Sequence, residues 1–278
     1  VTTIAASPNT SDQRLPNPLS LGLRQTKLEV KALVRSKDTA FFTLGLPLML
    51  LLLFGAIFGG TLDGTDVSAG QWFTPGIIAA SVLSAGVINL ATSLAIERHD
   101  GTLKRLALTP LPTSSYLIGK ILLTVIIAIG MTVVLLGTGA LLFDVAIPSD
   151  FGRWFTFTWV FLLGVVAAAV LGIAMSGIPR SAKSASAVFN LPFLGLMFIS
   201  GVYIEFGSIP EWLRVVAGVF PLRWLAAGMR SVFLPEEFEQ VVEPGGSYML
   251  GWGAAILAAW VVVGFFLALR TFRTGRER

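Results

Sequence analysis

Six uncharged stretches, each long enough to cross a lipid bilayer, constrain this chain more than any other feature. They run approximately from Ala40 to Gly60, Phe73 to Ile96, Ile121 to Phe143, Trp154 to Ile178, Ser184 to Ile204 and Ser247 to Leu269. A hydrocarbon core of about 30 Å takes roughly 20 helical residues to span, and an isolated charge at that depth is costly. Strands of membrane barrels alternate over about 10 residues, so unbroken apolar runs of this length predict an all-α integral membrane bundle of six transmembrane helices. Composition agrees, with 54% hydrophobic and 13% charged residues against roughly 25% charged in soluble domains.

The charges outside the runs predict orientation. Basic residues gather in the N-terminal arm, around Arg98, Lys104, Arg105 and Lys120, at Arg180 and Lys183, and in the tail from Arg270 to Arg278. The alternate connections are acidic, with Asp63 and Asp66, Asp144 and Asp150, and the stretch from Glu205 to Glu243. Positive charge stays cytoplasmic, so the expectation is N-in and C-in. The net charge of +4 then faces anionic lipid headgroups, and nothing points to nucleic acid.

Residues 1–19 are polar, carry Pro8, Pro16 and Pro18 and lack an apolar core. They are expected to form a disordered cytoplasmic tail rather than a cleavable signal. Residues 20–39 predict an amphipathic interfacial helix. Arg24, Lys27, Lys31 and Arg35 share one helical face, and Leu23, Val30, Leu33 and Val34 a neighbouring one. Residues 40–270 form the membrane domain and 271–278 a basic cytoplasmic tail.

Within the spans, Gly55 and Gly59, and the ladder Gly164, Ala168, Gly172 and Ser176, predict close helix contact within the chain. Asn89 and Asn190 are expected to make interhelical hydrogen bonds. Residues 209–234 are too apolar for a solvated loop, yet Arg214, Arg223, Arg230 and Pro221 interrupt them. Pro221 breaks a helix interior, and two helices of about 10 residues each reach roughly half the bilayer core. A broken, re-entrant hairpin entering from the outer face is expected, followed by Glu236, Glu237, Glu239 and Glu243 in water.

Catalytic chemistry is missing. The only histidine, His99, reads as a solvated loop residue, there is no cysteine, and no ionisable group lies inside a span. No catalytic, metal-binding or cofactor-binding residues are expected. No segment matches the phosphate-binding pattern G-x-x-x-x-G-K-[ST]; Gly119-Lys120 comes closest, but it lacks the upstream glycine and Ile121 follows. A channel would need polar lining along a helix, and the spans offer only scattered Ser, Thr and Asn.

Between the second and third runs stands a charged island, Glu97 to Pro112, ERHDGTLKRLALTPLP. A helix starting near Glu97 would carry its acids early and Lys104 and Arg105 late, as the helix dipole favours. Leu103 and Leu106 would form an apolar knob for a groove on another protein, the alternative being that they pack on neighbouring helix ends.

Two segments carry a family resemblance. Glu97, Arg98, Gly101, Thr102 and Leu103, followed by Leu106 and Thr109-Pro110-Leu111, resemble the cytoplasmic segment of type-2 ABC exporter permeases, with His99 and Asp100 displacing that segment's second acid by one position. Ile209-Pro210-x-Trp212-Leu213, with Phe220-Pro221-Leu222 and Arg230, is similar to the family's second hallmark, before the last span. The short-loop plan resembles the drug and natural-product branch, including daunorubicin-resistance permeases.

The resemblance implies that residues 40–270 are a type-2 ABC transmembrane domain, a permease without a nucleotide site and so not an enzyme. It implies a multi-pass protein of a prokaryotic plasma membrane. Its partners would be two copies of an ATPase subunit carrying the ATP and Mg, and a second permease chain, as a homodimer in preference to a heterodimer. Glu97, Arg98, Gly101, Thr102, Leu103, Lys104, Leu106 and Pro110 would then belong to a coupling helix docking on the ATPase. Phe54, Phe58, Trp159, Phe193 and Phe198 are candidates to line an apolar substrate path. Polysaccharide or glycolipid export on the same plan, or a channel or scaffold working without ATP, are the competing expectations.

Overall fold

The computed structural model describes residues 17–61, 66–108, 112–243 and 245–274. Among these residues every regular element is helical, and Thr61 and Ser68 form an isolated antiparallel bridge. The predicted tail over residues 1–19 lies outside the described residues up to position 16, as does the end of the basic tail from 275.

Helix α1 (Pro18–Arg35) starts with Asn17 accepting from the Leu19 amide and a proline in its first turn. Its cations Arg24, Lys27, Lys31 and Arg35 are exposed, and so are Leu19, Leu23, Leu28 and Val34. The stripe that meets protein contains Gly22, Thr26 and Glu29. There α1 crosses the start of the third apolar run closely enough that a Cβ on Gly22 would stand 2.6 Å from Ile118 and one on Gly119 2.6 Å from Gln25.

Five helices are long and apolar enough to span a bilayer: Ala69–His99 (α3), Ser114–Leu142 within α5 (Thr113–Leu142), α6 (Phe151–Met175), α7 (Ala182–Ile199), and Leu250–Thr271 within the last helix, Leu250–Thr274. The first predicted span is the exception. Its helical segment runs unbroken from Lys37 to Ile57, of which Thr43–Ile57 forms a shorter apolar helix than the other five. A π-helical turn, Phe41–Gly45, leads into α2 (Leu46–Ile57), and Phe58 leaves helical geometry before Gly59 and Gly60.

Small residues set the crossings. Gly86, in a π-helical turn Ala85–Leu90 inside α3, lies against the backbone of Ala168, and Gly172 lies against Gly86 in return. The ladder on α6 thus packs within the chain, as expected. Gly55 does not meet another helix through a Gly-x-x-x-Gly seam; it forms a notch, with Gly70, for the Phe143 ring. The buried core runs from Leu51 through Ile77, Ile78, Leu83, Met131, Val160 and Leu225 to Leu257.

After α7 the chain forms α8 (Glu211–Val219) and α9 (Pro221–Phe233), broken at Phe220–Pro221 where the sequence predicts it. The two helices differ. Helix α8 is largely exposed, whereas α9 is buried on almost every face against α3, α6 and the last helix. At the break, the indole N–H of Trp224 donates to Gly218 O (2.7 Å) and that of Trp260 to Val219 O (2.7 Å), satisfying carbonyls that a broken helix leaves open. A short helix, α10 (Glu237–Val242), and the last helix, α11 (Leu250–Thr274), complete the chain.

Candidate functional site

The island is not one helix from Glu97. Helix α3 runs on through Glu97 to His99; Gly101 reverses the chain in the left-handed region (φ 72°), and a separate helix α4 (Thr102–Ala107) follows. Its first turn holds no acid, so the predicted dipole arrangement does not exist. Leu103 and Leu106 face inward onto Leu90, Leu94, Tyr116, Ile173 and Ala268, because a six-residue helix beside a bundle buries its apolar residues on the nearest apolar surface. The outward face carries Lys104, Arg105 and Leu108, the last 89% exposed. Arg98 donates to Thr271 O (3.5 Å) and His99 to Pro179 O (3.0 Å), tying the island to α11 and to the α6–α7 connection. His99 is thus exposed, as the sequence suggests, while its ring still bridges to the α6–α7 connection. Pro110 lies outside the described residues.

Glu97 faces inward and belongs to a cluster that the sequence does not suggest. Lys120 Nζ, with its side chain 1% exposed, lies 2.6 Å from Glu97 Oε1, 2.8 Å from Glu29 Oε1 and 3.0 Å from Ser93 Oγ. Ser93 Oγ also donates to Glu97 Oε1 (3.1 Å), Tyr116 OH donates to Glu97 Oε2, and Gln25 Nε2 donates to Glu29 Oε1 (3.0 Å). A charged lysine this deep is stable only because both its partners are anionic and hydrogen-bonded. The cluster joins three elements: α1 through Glu29, α5 through Lys120, and the end of α3 just before α4 through Glu97.

Above this floor lies a cavity of about 910 Å³ between α1, α2, α3, α5 and α7. Ser81, Ser84, Asn89, Ser93 and Glu97 all line it, although the step from Ser84 to Asn89 is five residues. The π-helical turn Ala85–Leu90 absorbs the extra residue and returns Asn89 to the same face. The scattered polar residues of the second run thus form one stripe, contrary to the expectation from sequence. Asn89 Oδ1 accepts from Thr43 Oγ1 at 3.4 Å, an interhelical contact, whereas Asn190 bonds Ser186 in its own helix and stands exposed.

Four of the five aromatic candidates gather near this space. Phe193 is buried and lines the cavity. Phe54 and Phe198 pack on the Tyr203 ring at 5.1 and 5.4 Å, and Phe58 on Phe54 at 6.1 Å. Tyr203 itself lines the cavity, and its hydroxyl donates to Met197 Sδ at 3.8 Å. Trp159, on α6, packs on the core and does not line the cavity.

The second predicted motif serves structure. Pro210 caps α8, Trp212 is 68% exposed, and Pro221 begins α9. Arg230 is fully buried; its guanidinium lies 3.5 Å over the Trp72 ring, and Nη2 donates to Gly201 O. Arg223 lies 3.7 Å over the Phe206 ring and pairs with Glu243 through both oxygens. Glu243 is buried in that pair, not returned to water as the acidic run implies. Among the described residues no group of three potential ligands could hold a metal ion.

Residues 25–234 match the model of the family described as ABC-2 type transporter. Similar proteins include Daunorubicin resistance ABC transporter permease protein DrrB1 of Streptomyces coeruleorubidus, 26% identical over 67% of this chain and 65% of its own length. The Mycobacterium tuberculosis protein named Probable doxorubicin resistance ABC transporter permease protein DrrC is 25% identical over 83% of this chain and 85% of its own. Probable multidrug ABC transporter permease YbhR of Escherichia coli (strain K12) is 23% identical over 62% of this chain, which spans only 46% of that relative. With the family match covering most of its length, a multi-pass membrane helix bundle and no nucleotide-binding motif of its own, this chain belongs to the ABC-2 type transporter family of permeases.

Proposed function

We propose that this chain is the permease subunit of an ATP-driven exporter moving an amphipathic or hydrophobic substrate out of the cell. Two separate ATPase subunits would supply ATP and Mg, and a second permease chain, in a homodimer, would complete the pathway. Both termini would be cytoplasmic, α1 would lie at the headgroup level, the first apolar helix would complete six spans with its lead-in turns, and α8–α9 would enter from the outer face. The drug-resistance names of DrrB1 and DrrC favour small amphipathic cargo over polysaccharide.

One observation carries the reading: the outward face of α4 is connected to the cavity floor. Force on Leu108, Lys104 and Arg105 passes through the end of α3 to Glu97, and from Glu97 through Lys120 to Glu29 on α1. Closure of an ATPase pair against α4 would therefore tilt α3 and α1 on either side of the cavity, a rigid-body movement. The docking residues are accordingly Leu108, Lys104 and Arg105, with Leu103 and Leu106 holding α4 to the bundle. Replacing Leu108 with Asp is expected to cut co-purification of the ATPase at least about tenfold, a loss of about 1.4 kcal/mol, at unchanged permease melting temperature. Full retention of the ATPase by the variant would remove the docking face.

The polar stripe on α3 supports a second reading, a channel conducting without ATP. Flux through reconstituted protein decides it: a channel conducts with no nucleotide present, and an exporter does not.

A further inference from the structure

Hydrogen bonding at the cavity floor narrows the ligand further. An ammonium has three donors, and those of Lys120 are taken by Glu29 Oε1, Glu97 Oε1 and Ser93 Oγ. No donor remains on it for an anionic ligand. Glu97 is also satisfied, Oε1 by Lys120 and Ser93 and Oε2 by Tyr116. Glu29 is not: Oε1 accepts from Gln25 and lies against Lys120, while Oε2 accepts no hydrogen bond among the described residues. Two carboxylates meet one ammonium at the floor, with the Arg98 guanidinium near Tyr116 as well, and its vacant polar position is an acceptor.

A second, independent observation points to a ligand. Ser81, 4% exposed, opens on the same cavity and its Oγ has no hydrogen-bond partner among the described residues. Buried hydroxyls are ordinarily bonded, and no described residue bonds this one. Between the two ends the polar stripe of Ser84 and Asn89 on α3 faces an apolar wall formed by Leu50, Ile127, Phe193 and Met197. From Glu97 to Ser81 along α3 is about 24 Å of helix rise, and the volume suits a drug-sized molecule.

We propose that the cavity binds amphipathic organic monocations, with the cationic nitrogen against Glu29 and an apolar body along the wall towards Ser81. An anion of the same shape finds no free donor on Lys120 and meets an acceptor at the open position. The assignment specifies the cargo of the exporter reading above and rests on it only for the direction of movement; binding requires this chain alone.

The test uses the full chain in phosphatidylcholine nanodiscs and fluorescence anisotropy, with empty discs as background. The probes are rhodamine 6G, a monocation, and fluorescein, an anion on the same three-ring core. Rhodamine 6G is expected to bind at least about tenfold tighter. Glu29→Gln should remove most of that preference, while Glu211→Gln, on exposed α8, leaves it intact. Equal or reversed preference in the unmodified protein overturns the proposal, and that measurement needs no variant to fold. So does a Glu29→Gln protein that melts normally and keeps the full preference. Cation preference without ATP-driven flux would overturn the exporter reading and leave this site standing; ATP-driven flux without cation preference does the reverse.

Discussion

Buried charge in this chain is held by three different devices, and each makes a different demand on its neighbours. Lys120 is shared between two carboxylates, Arg223 is paired with one, and Arg230 is held by the Trp72 ring and one carbonyl. An aromatic face attracts a cation electrostatically without being charged, so Arg230 can sit deep in the protein with no acid bonded to it among the described residues. For the Arg223–Glu243 pair, both side chains are buried, at 5% and 1% exposure. Removing one partner should cost about 3–5 kcal/mol, because the other stays buried and unpaired. Arg223→Met is therefore expected to lower the melting temperature much more than the double change Arg223→Met with Glu243→Met. Equal losses in thermal melts of the two proteins would show that the pair contributes through packing and not through charge.

These charges also mark where the sequence stops being legible. The island reads as special because its residue types stand out between apolar runs. Its internal geometry does not, since nothing local says that Glu97 turns inward to meet Lys120 and Glu29, which lie 23 and 68 positions away. Proximity of that kind comes from tertiary packing, here from the close crossing of α1 over α5 at Gly22 and Gly119.

Between helices, glycine placement decides how near the backbones come. Gly86 abuts the Ala168 backbone, and any Cβ there meets main-chain atoms that cannot rotate aside. Gly86→Ala is expected to destabilise by about 1–3 kcal/mol or more. Gly130, in α5, has nothing within 4 Å of the place where an alanine Cβ would stand, so Gly130→Ala should be neutral or stabilising by up to about 1 kcal/mol. Matching losses at the two sites in thermal melts would contradict the assigned crossing. The α6 ladder and the break at Pro221 are readable from sequence, because small residues at helical spacing and a proline in an apolar run have direct steric meaning. The polar stripe of α3 is hidden, since a π-helical turn shifts its register by one residue and defeats a 3.6-residue period.

Across the bundle, the outward face of α4, a charged link and a cavity form one continuous path, by which, on the proposed function, ATP hydrolysed on another chain would drive a substrate through this one. Proteoliposomes containing this permease and its ATPase, loaded with ATP on the ATPase side, test that coupling with rhodamine 6G as the transported probe. The expected result is ATP-dependent movement of the dye that disappears when the P-loop lysine of the ATPase is replaced by alanine. Movement at the same rate without ATP, or undiminished in that ATPase variant, would contradict it.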